Sequence, residues 1–195
     1  PDGYGRILRA GNGAVAAIVE HRDASADQRS IGEINGGIYC FRRSLLAPAL
    51  RLISSENAQG EMYLTDAIGV LAEAGHPVHA FIADPVEIGG VNDRSQLGFA
   101  SELLGSRITQ AHMRNGVTIE QPSSTIIEAS VVIEPDATVH AATVLQGDTI
   151  IGAGAVIGPN THLVDAVIEA GAQVRSSVVS GVVVAAGTIV GPFEH

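Results

Sequence analysis

Seven histidines, one cysteine and a scatter of carboxylates and amides are the groups in this chain that could do chemistry. His76 and His79 flank Pro77, His112 falls in a helical pattern, and His140 and His162 fall within a repeat. None has the spacing of a zinc site. His21 follows Glu20 directly and reads as a packing or solvent-facing side chain rather than a proton carrier. Cys40 stands alone in an apolar run, so no disulfide framework exists and a reducing cytosol is its natural setting. Four further positions sit at turns or element ends: Gly5, Glu20, Asn35 and Asn92. Taken singly, Gly5 is a turn glycine, Glu20 a solvated strand-end acid, and Asn35 shapes the turn before Gly36 and Gly37. Asn92, or its neighbour Asp93, is an N-cap at the head of a long helix.

The elements that must hold these groups fall into two kinds. Residues 1–93 do not repeat and alternate strand and helix signals. Arg6 to Arg9 and Val15 to Glu20 read as a hairpin around Gly11-Asn12-Gly13, with the glycines and Asn12 taking positive φ. Asp23 to Ser30 is a loop or short helix. Ile34 to Phe41 and Val78 to Ile82 read as strands, and Ser44 to Ile53 and Thr65 to Glu73 as helices, with Gly75 where a C-terminal cap belongs. Strands interleaved with helices predict an α/β layer. A longer helix spans 94–115, with Leu97, Ala100, Leu104, Ile108 and Ala111 on one face, and Asn115-Gly116 ends it.

From Ile127 an aliphatic residue recurs every six positions, at 127, 133, 139, 145, 151 and 157. That period fits neither a helix nor a flat strand. It predicts one short strand and one tight turn per hexad, three hexads to a triangular coil, with the leading aliphatics stacked inside. Gly152 and Gly158 supply the small second residue, and a small or β-branched residue takes the fifth place. The register slips after Leu163 and recovers at Ile168, Val174, Val184 and Val190, which predicts a loop or a shortened coil.

Composition agrees with this picture and narrows the partners. With 46% hydrophobic residues, 23 glycines and no tryptophan, the chain suits a repeat built from Val, Ile, Ala and Gly. Its formal charge of −10 opposes non-specific binding to nucleic acid. No run of 18 apolar residues and no signal peptide is present, so no membrane partner is expected.

Gly3-Tyr4-Gly5-Arg6-Ile7, Ile18-Val19-Glu20-His21, Glu33 to Ile38, the run Asn57-Ala58-Gln59-Gly60-Glu61-Met62-Tyr63-Leu64-Thr65-Asp66, and Gly90 to Arg94 occur in that order ahead of the hexads. Together they resemble the bacterial bifunctional N-acetylglucosamine-1-phosphate uridyltransferase/glucosamine-1-phosphate acetyltransferases across residues 1–193. The resemblance implies part of a Rossmann-like nucleotidyltransferase lobe (1–93), a linker helix (94–115) and the first coils of a left-handed parallel β-helix (116–195). It implies UTP and N-acetylglucosamine 1-phosphate as substrates of the lobe, with magnesium as cofactor. For the β-helix it implies acetyl-CoA and glucosamine 1-phosphate, a homotrimer, and cytoplasmic synthesis of UDP-N-acetylglucosamine for peptidoglycan and lipopolysaccharide.

Residue by residue, the resemblance makes Gly5 the glycine whose backbone approaches the sugar. Glu20 becomes an acceptor for sugar hydroxyls, and Asn35 a donor and acceptor for a hydroxyl or the N-acetyl group. Asn92 becomes a substrate contact and an amide-oxygen ligand to magnesium. Tyr63 and Thr65 either line the same pocket or serve as packing and an N-cap. No catalytic residue is assigned. The family's glycine-rich nucleotide loop, Leu-Ala-Ala-Gly-x-Gly-Thr-Arg, does not occur in the chain, so the expectation is a chain truncated at both ends and inactive alone. Two alternatives stay open: another hexapeptide-bearing sugar-1-phosphate nucleotidyltransferase, and a non-catalytic trimerising module.

Overall fold

Alternating apolar residues around a glycine turn make the hairpin. In the computed structural model, which describes residues 3–193, β1 (Arg6–Arg9) pairs antiparallel with β2 (Val15–Val19), Ile7 opposite Ile18. Pro1, Asp2, Glu194 and His195, the ends of the first and last expected domains, lie outside the described residues. In the turn only Gly13 takes positive φ, at 84°. Asn12 does not, contrary to expectation: its side-chain oxygen accepts the Ala14 N–H at 3.0 Å and shapes the turn without entering that region.

The chain divides into two units after Gly90. In the first, α1 (Ala26–Arg29) is started by a capping box between Ser25 and Gln28, and α2 (Arg43–Ala49) ends just beyond Pro48. α3 (Asp66–Glu73) buries Ala67, Ile68 and Leu71, and Gly75 follows it at φ 78°. Ile68 packs with Ile7, Val15 and Ile18, which seats α3 on the hairpin. The strand expected over Ile34 to Phe41 shrinks to one bridge, Ile34 opposite Arg6. The strand expected over Val78 to Ile82 does not form, and Phe81 is 98% exposed. Strand-forming residues need a neighbouring ladder to be stable as strand; Ile34 meets β1 only through the bonds Ile7 N–H to Glu33 C=O and Asn35 N–H to Gly5 C=O, and among the described residues Val78 to Ile82 pairs with no strand. Tyr39, Phe41 and Val78 still pack on the small core.

The second unit opens with α4 (Arg94–Arg114). Asp93 caps it through Gln96 N–H at 2.8 Å, and Gly116, at φ 91°, ends it as the Val117 N–H returns to His112 C=O. The face read from the spacing is covered only in part: Leu97 and Leu104 are exposed, while Ile108 packs against the core beyond and Thr109 beside it is buried. Only the last turns of α4 reach that core, so the apolar pattern of its first half finds no cover.

Hexads give short strands in regular succession: β3 (Thr118–Ile119), β4 (Ile126–Ile127), β5 (Val132–Ile133), β6 (Thr138–Val139), β7 (Val144–Gln146) and β8 (Ile150–Ile151). The series continues with β9 (Val156–Ile157), β10 (His162–Val164), β11 (Val167–Ile168), β12 (Gln173–Val174), β13 (Val178–Ser180), β14 (Val183–Val184) and β15 (Ile189–Val190). Every strand pairs in parallel with the third one along, giving three sheets: β3-β6-β9-β12-β15, β4-β7-β10-β13 and β5-β8-β11-β14. This is a three-sided parallel β-solenoid of about four turns. Its axis is filled by columns such as Ile127–Leu145–Leu163–Val179 and Ile133–Ile151–Ile168–Val184, each residue under a tenth exposed. The fifth-place residues Ala137, Thr143, Thr149, Ala155 and Thr161 are buried beside them.

Two details explain the repeat's chemistry. A Cβ on Gly152 would lie 2.7 Å from the Ala170 backbone nitrogen, so only glycine lets the next coil settle there. The register slip is a tightening of corners: Leu145 stacks under Leu163 eighteen residues on, but Leu163 stacks under Val179 only sixteen on. Asp165 (φ 50°), Ser176 (φ 44°) and Gly181 (φ 65°) make the shorter turns.

Candidate functional site

Backbone pairing at the open end of the hairpin brings together three of the four residues singled out from sequence. Gly5 is buried at the start of β1, and its carbonyl accepts the Asn35 N–H at 2.9 Å. On its other side, a Cβ built on Gly5 would stand 3.4 Å from Glu20 Oε2 and 3.1 Å from Ile18 Cγ2. The glycine is thus required by its own neighbours, because any side chain would press on β2 and on the Glu20 carboxylate. Asn35 spends its side-chain oxygen on the Gly37 N–H at 3.0 Å, which fixes the turn it opens. Its amide nitrogen carries two hydrogens, one of them engaged with the Tyr39 phenol.

Around this centre lie Thr65, for which the sequence left a pocket role and an N-cap role open, and residues to which it gave no role. Thr65, 5% exposed, donates its hydroxyl to Glu20 Oε1 at 2.9 Å. The Tyr39 phenol is raised above its ordinary pKa, mainly by burial, while its hydrogen bond with Asn35 lowers it and the Glu20 charge raises it. Asp66 is also pushed up, first by burial and then by the charges of Asp23 and Glu20. Asp23 accepts the Ala58 N–H at 2.7 Å, and Gln59 links Arg22 (2.7 Å) to Tyr63 (2.7 Å). In this way the Asn57–Asp66 run is tied along the residues that follow β2. The local field is acidic and rich in acceptors, suited to hydroxyl and amide donors rather than to bare phosphate. Only position within the Asn-Ala-Gln-Gly-Glu run pointed to Thr65, and Tyr39 was hidden in a segment that reads as core strand.

Asn92 belongs to the second unit, exposed ahead of α4, with its own N–H donating to Gln96 Oε1 at 2.6 Å. One amide oxygen is a small part of the octahedral oxygen set that magnesium demands. Among the described residues no group of three or more His, Cys, Asp or Glu is placed to hold a metal. The residues present therefore do not make a magnesium site. The first unit also holds an open, mainly apolar cavity of about 1360 Å³, lined by Ile38, Phe41, Phe81 and Ile82 with Asn35 and Tyr39 at its polar side. Glu20 and Gly5 are not part of its wall. Among the described residues no helix is long and apolar enough to cross a membrane.

Three parallel sheets wound from six-residue repeats, one inward aliphatic per rung, define the class as a parallel β-solenoid of the hexapeptide kind. The chain is 47% identical over 195 residues to the bifunctional protein GlmU of Streptomyces coelicolor, covering 99% of this chain and 40% of that protein. It is 48% identical over 195 residues to GlmU of Streptomyces avermitilis, with coverage of 99% and 40%, and 46% identical to GlmU of Clostridium novyi, with 100% and 43%. The chain is similar to GlmU proteins along its whole length, and it spans about two fifths of the length of these curated relatives. No family model matches the chain. Among solved structures, PerB from Caulobacter crescentus in complex with CoA and GDP-perosamine matches 46% of this chain and 62% of its own. At 13% identity and a TM-score of 0.19, that likeness carries no argument.

Proposed function

We propose that the first unit is the sugar-recognising portion of a Rossmann-like nucleotidyltransferase lobe. In the whole enzyme that lobe joins UTP to N-acetylglucosamine 1-phosphate, releasing pyrophosphate and forming UDP-N-acetylglucosamine. The sugar-phosphate oxygen attacks the α-phosphorus in line, so this chain's residues contribute position rather than covalent chemistry. Glu20 accepts a sugar hydroxyl, Asn35 donates to the N-acetyl group or a hydroxyl, and Gly5 leaves the space between them. Asn92 offers one amide oxygen toward the sugar. The observation that carries this reading is the meeting of Glu20 and Asn35 across Gly5, from segments separated in sequence.

On the same reading the solenoid is left-handed and is the acetyltransferase scaffold, moving acetyl from acetyl-CoA to glucosamine 1-phosphate in a cytoplasmic homotrimer. Outward residues on one sheet support self-association: Val132, Ile150, Val167 and Val183 form an unbroken aliphatic column on a chain of charge −10. That charge also argues against nucleic-acid partners. The glycine-rich loop is not in these residues, so the chain by itself turns over no UTP.

The test is a chimera in which residues 1–195 replace the matched stretch of Streptomyces coelicolor GlmU. Expected is UTP- and N-acetylglucosamine 1-phosphate-dependent pyrophosphate release, reduced about ten- to a hundredfold by Glu20→Ala, the scale of hydrogen bonds to a charged group. A folded chimera without this activity, or one indifferent to Glu20→Ala, would overturn the assignment.

A further inference from the structure

We infer that Thr65 is a positioning residue: its hydroxyl clamps the Glu20 carboxylate so that one oxygen is consumed and the other stays aimed beside Gly5. The inference rests on the sugar-recognising role proposed for Glu20.

Thr65 immediately precedes α3, where a threonine ordinarily turns its oxygen onto the helix's first free N–H groups. Here it makes no such bond, and its backbone is already helical, at φ −61° and ψ −28°. The first helical N–H groups are served instead by main-chain carbonyls: Asp66 N–H by Tyr63, Ala67 N–H by Leu64 and Ile68 N–H by Thr65. With capping taken over by the backbone, the hydroxyl is released to donate to Glu20 Oε1 at 2.9 Å, across 45 residues of sequence. Thr65 is 5% exposed, so water does not compete freely for this bond.

The consequence falls on Glu20. A half-buried glutamate with two unrestrained oxygens would sample several rotamers, and each costs entropy to select on binding. Tethered at Oε1, the carboxylate presents Oε2 within 3.4 Å of where a Gly5 Cβ would be. A ligand hydroxyl reaching the exposed part of the half-buried Glu20 then meets an acceptor already in place. Asp66, adjacent in sequence, shows the cost of the arrangement, because Asp23 and Glu20 crowd it with like charge.

The experiment compares the wild-type chain with Thr65→Val, which keeps the shape and removes the donor, and Thr65→Ser, which keeps the donor. Side-chain carbon couplings of Glu20 by NMR report its rotamer averaging, and titration with N-acetylglucosamine 1-phosphate reports affinity. Thermal unfolding of each variant reports whether it is folded. Expected is a single Glu20 rotamer in wild type and Thr65→Ser, averaging in Thr65→Val, and about tenfold weaker binding in Thr65→Val alone. A Glu20 side chain as ordered in Thr65→Val as in wild type overturns the clamp. So does unchanged affinity with a freed Glu20. If wild type binds no sugar phosphate yet Glu20 order still depends on the Thr65 hydroxyl, the clamp stands and the sugar reading falls.

Discussion

Ile150 and Ile151 are adjacent, identical and opposite in fate. Ile151 is fully buried between Ile133 and Ile168, whereas Ile150 is 43% exposed on the outer face of the same sheet. Replacing Ile151 by alanine removes three buried carbons, about 2.4 kcal/mol at ~0.8 kcal/mol each. The cavity left in a stack that cannot collapse brings the total to about 3–4 kcal/mol. Ile150→Ala removes the same atoms from a half-covered site where water fills the gap, so about 1 kcal/mol is expected. With a urea slope of about 2 kcal/mol per molar, the two midpoints should differ by roughly 1 M. Far-UV circular dichroism follows the solenoid, at a protein concentration where sedimentation finds monomer. Tyrosine fluorescence follows the first unit alone, because Tyr4, Tyr39 and Tyr63 all lie there and tryptophan is absent. Neither substitution should move the fluorescence transition. Equal costs at 150 and 151, or the greater cost at 150, would refute the rung register, since a one-residue slip exchanges every inward and outward side chain.

Two further outcomes follow from the same geometry. Gly152→Ala drives a methyl against the Ala170 backbone, where no flexible side chain can yield, and should cost about 1–3 kcal/mol; hydrogen exchange should rise first at Gly152 and Ala170, and unchanged protection would contradict the close stacking. His112 is held below its ordinary pKa by burial, so the fold favours its neutral form. Its contribution is complete above pH 6.5 and is lost as pH falls below that value, and His112→Gln should lessen the drop in urea midpoint between pH 7.5 and 5.5. An identical drop in the variant would show that other groups are responsible.

The solenoid was legible because its code is short-range. An aliphatic at every sixth position has to point somewhere, and Ile127 through Ile157 all point inward. Even the slip after Leu163 was visible, although only the backbone angles of Asp165, Ser176 and Gly181 identify it as tighter corners. The first unit was less legible because its elements depend on partners distant in sequence. Ile34 to Phe41 has the composition of a strand yet keeps one bridge to β1, and among the described residues Val78 to Ile82 has none. In α4 the apolar spacing gave one face, but of Leu97, Leu104 and Ile108 only Ile108 packs on the solenoid core, beside the buried Thr109. At the candidate site, Gly5, Glu20 and Asn35 were found through motif order, and their contacts follow from hairpin register. For Thr65 the sequence left a pocket role and an N-cap role open, because a threonine before a helix looks like a cap until its hydroxyl is seen to face elsewhere.

The most direct measurement is a crystal structure of the GlmU chimera with N-acetylglucosamine 1-phosphate bound. The account predicts a sugar hydroxyl within about 3.2 Å of Glu20 Oε2, the Asn35 amide on the sugar's other side, and the ring lying over Gly5. A sugar seated in the apolar cavity beside Phe81 and Ile82, or anywhere out of reach of Glu20, would contradict it.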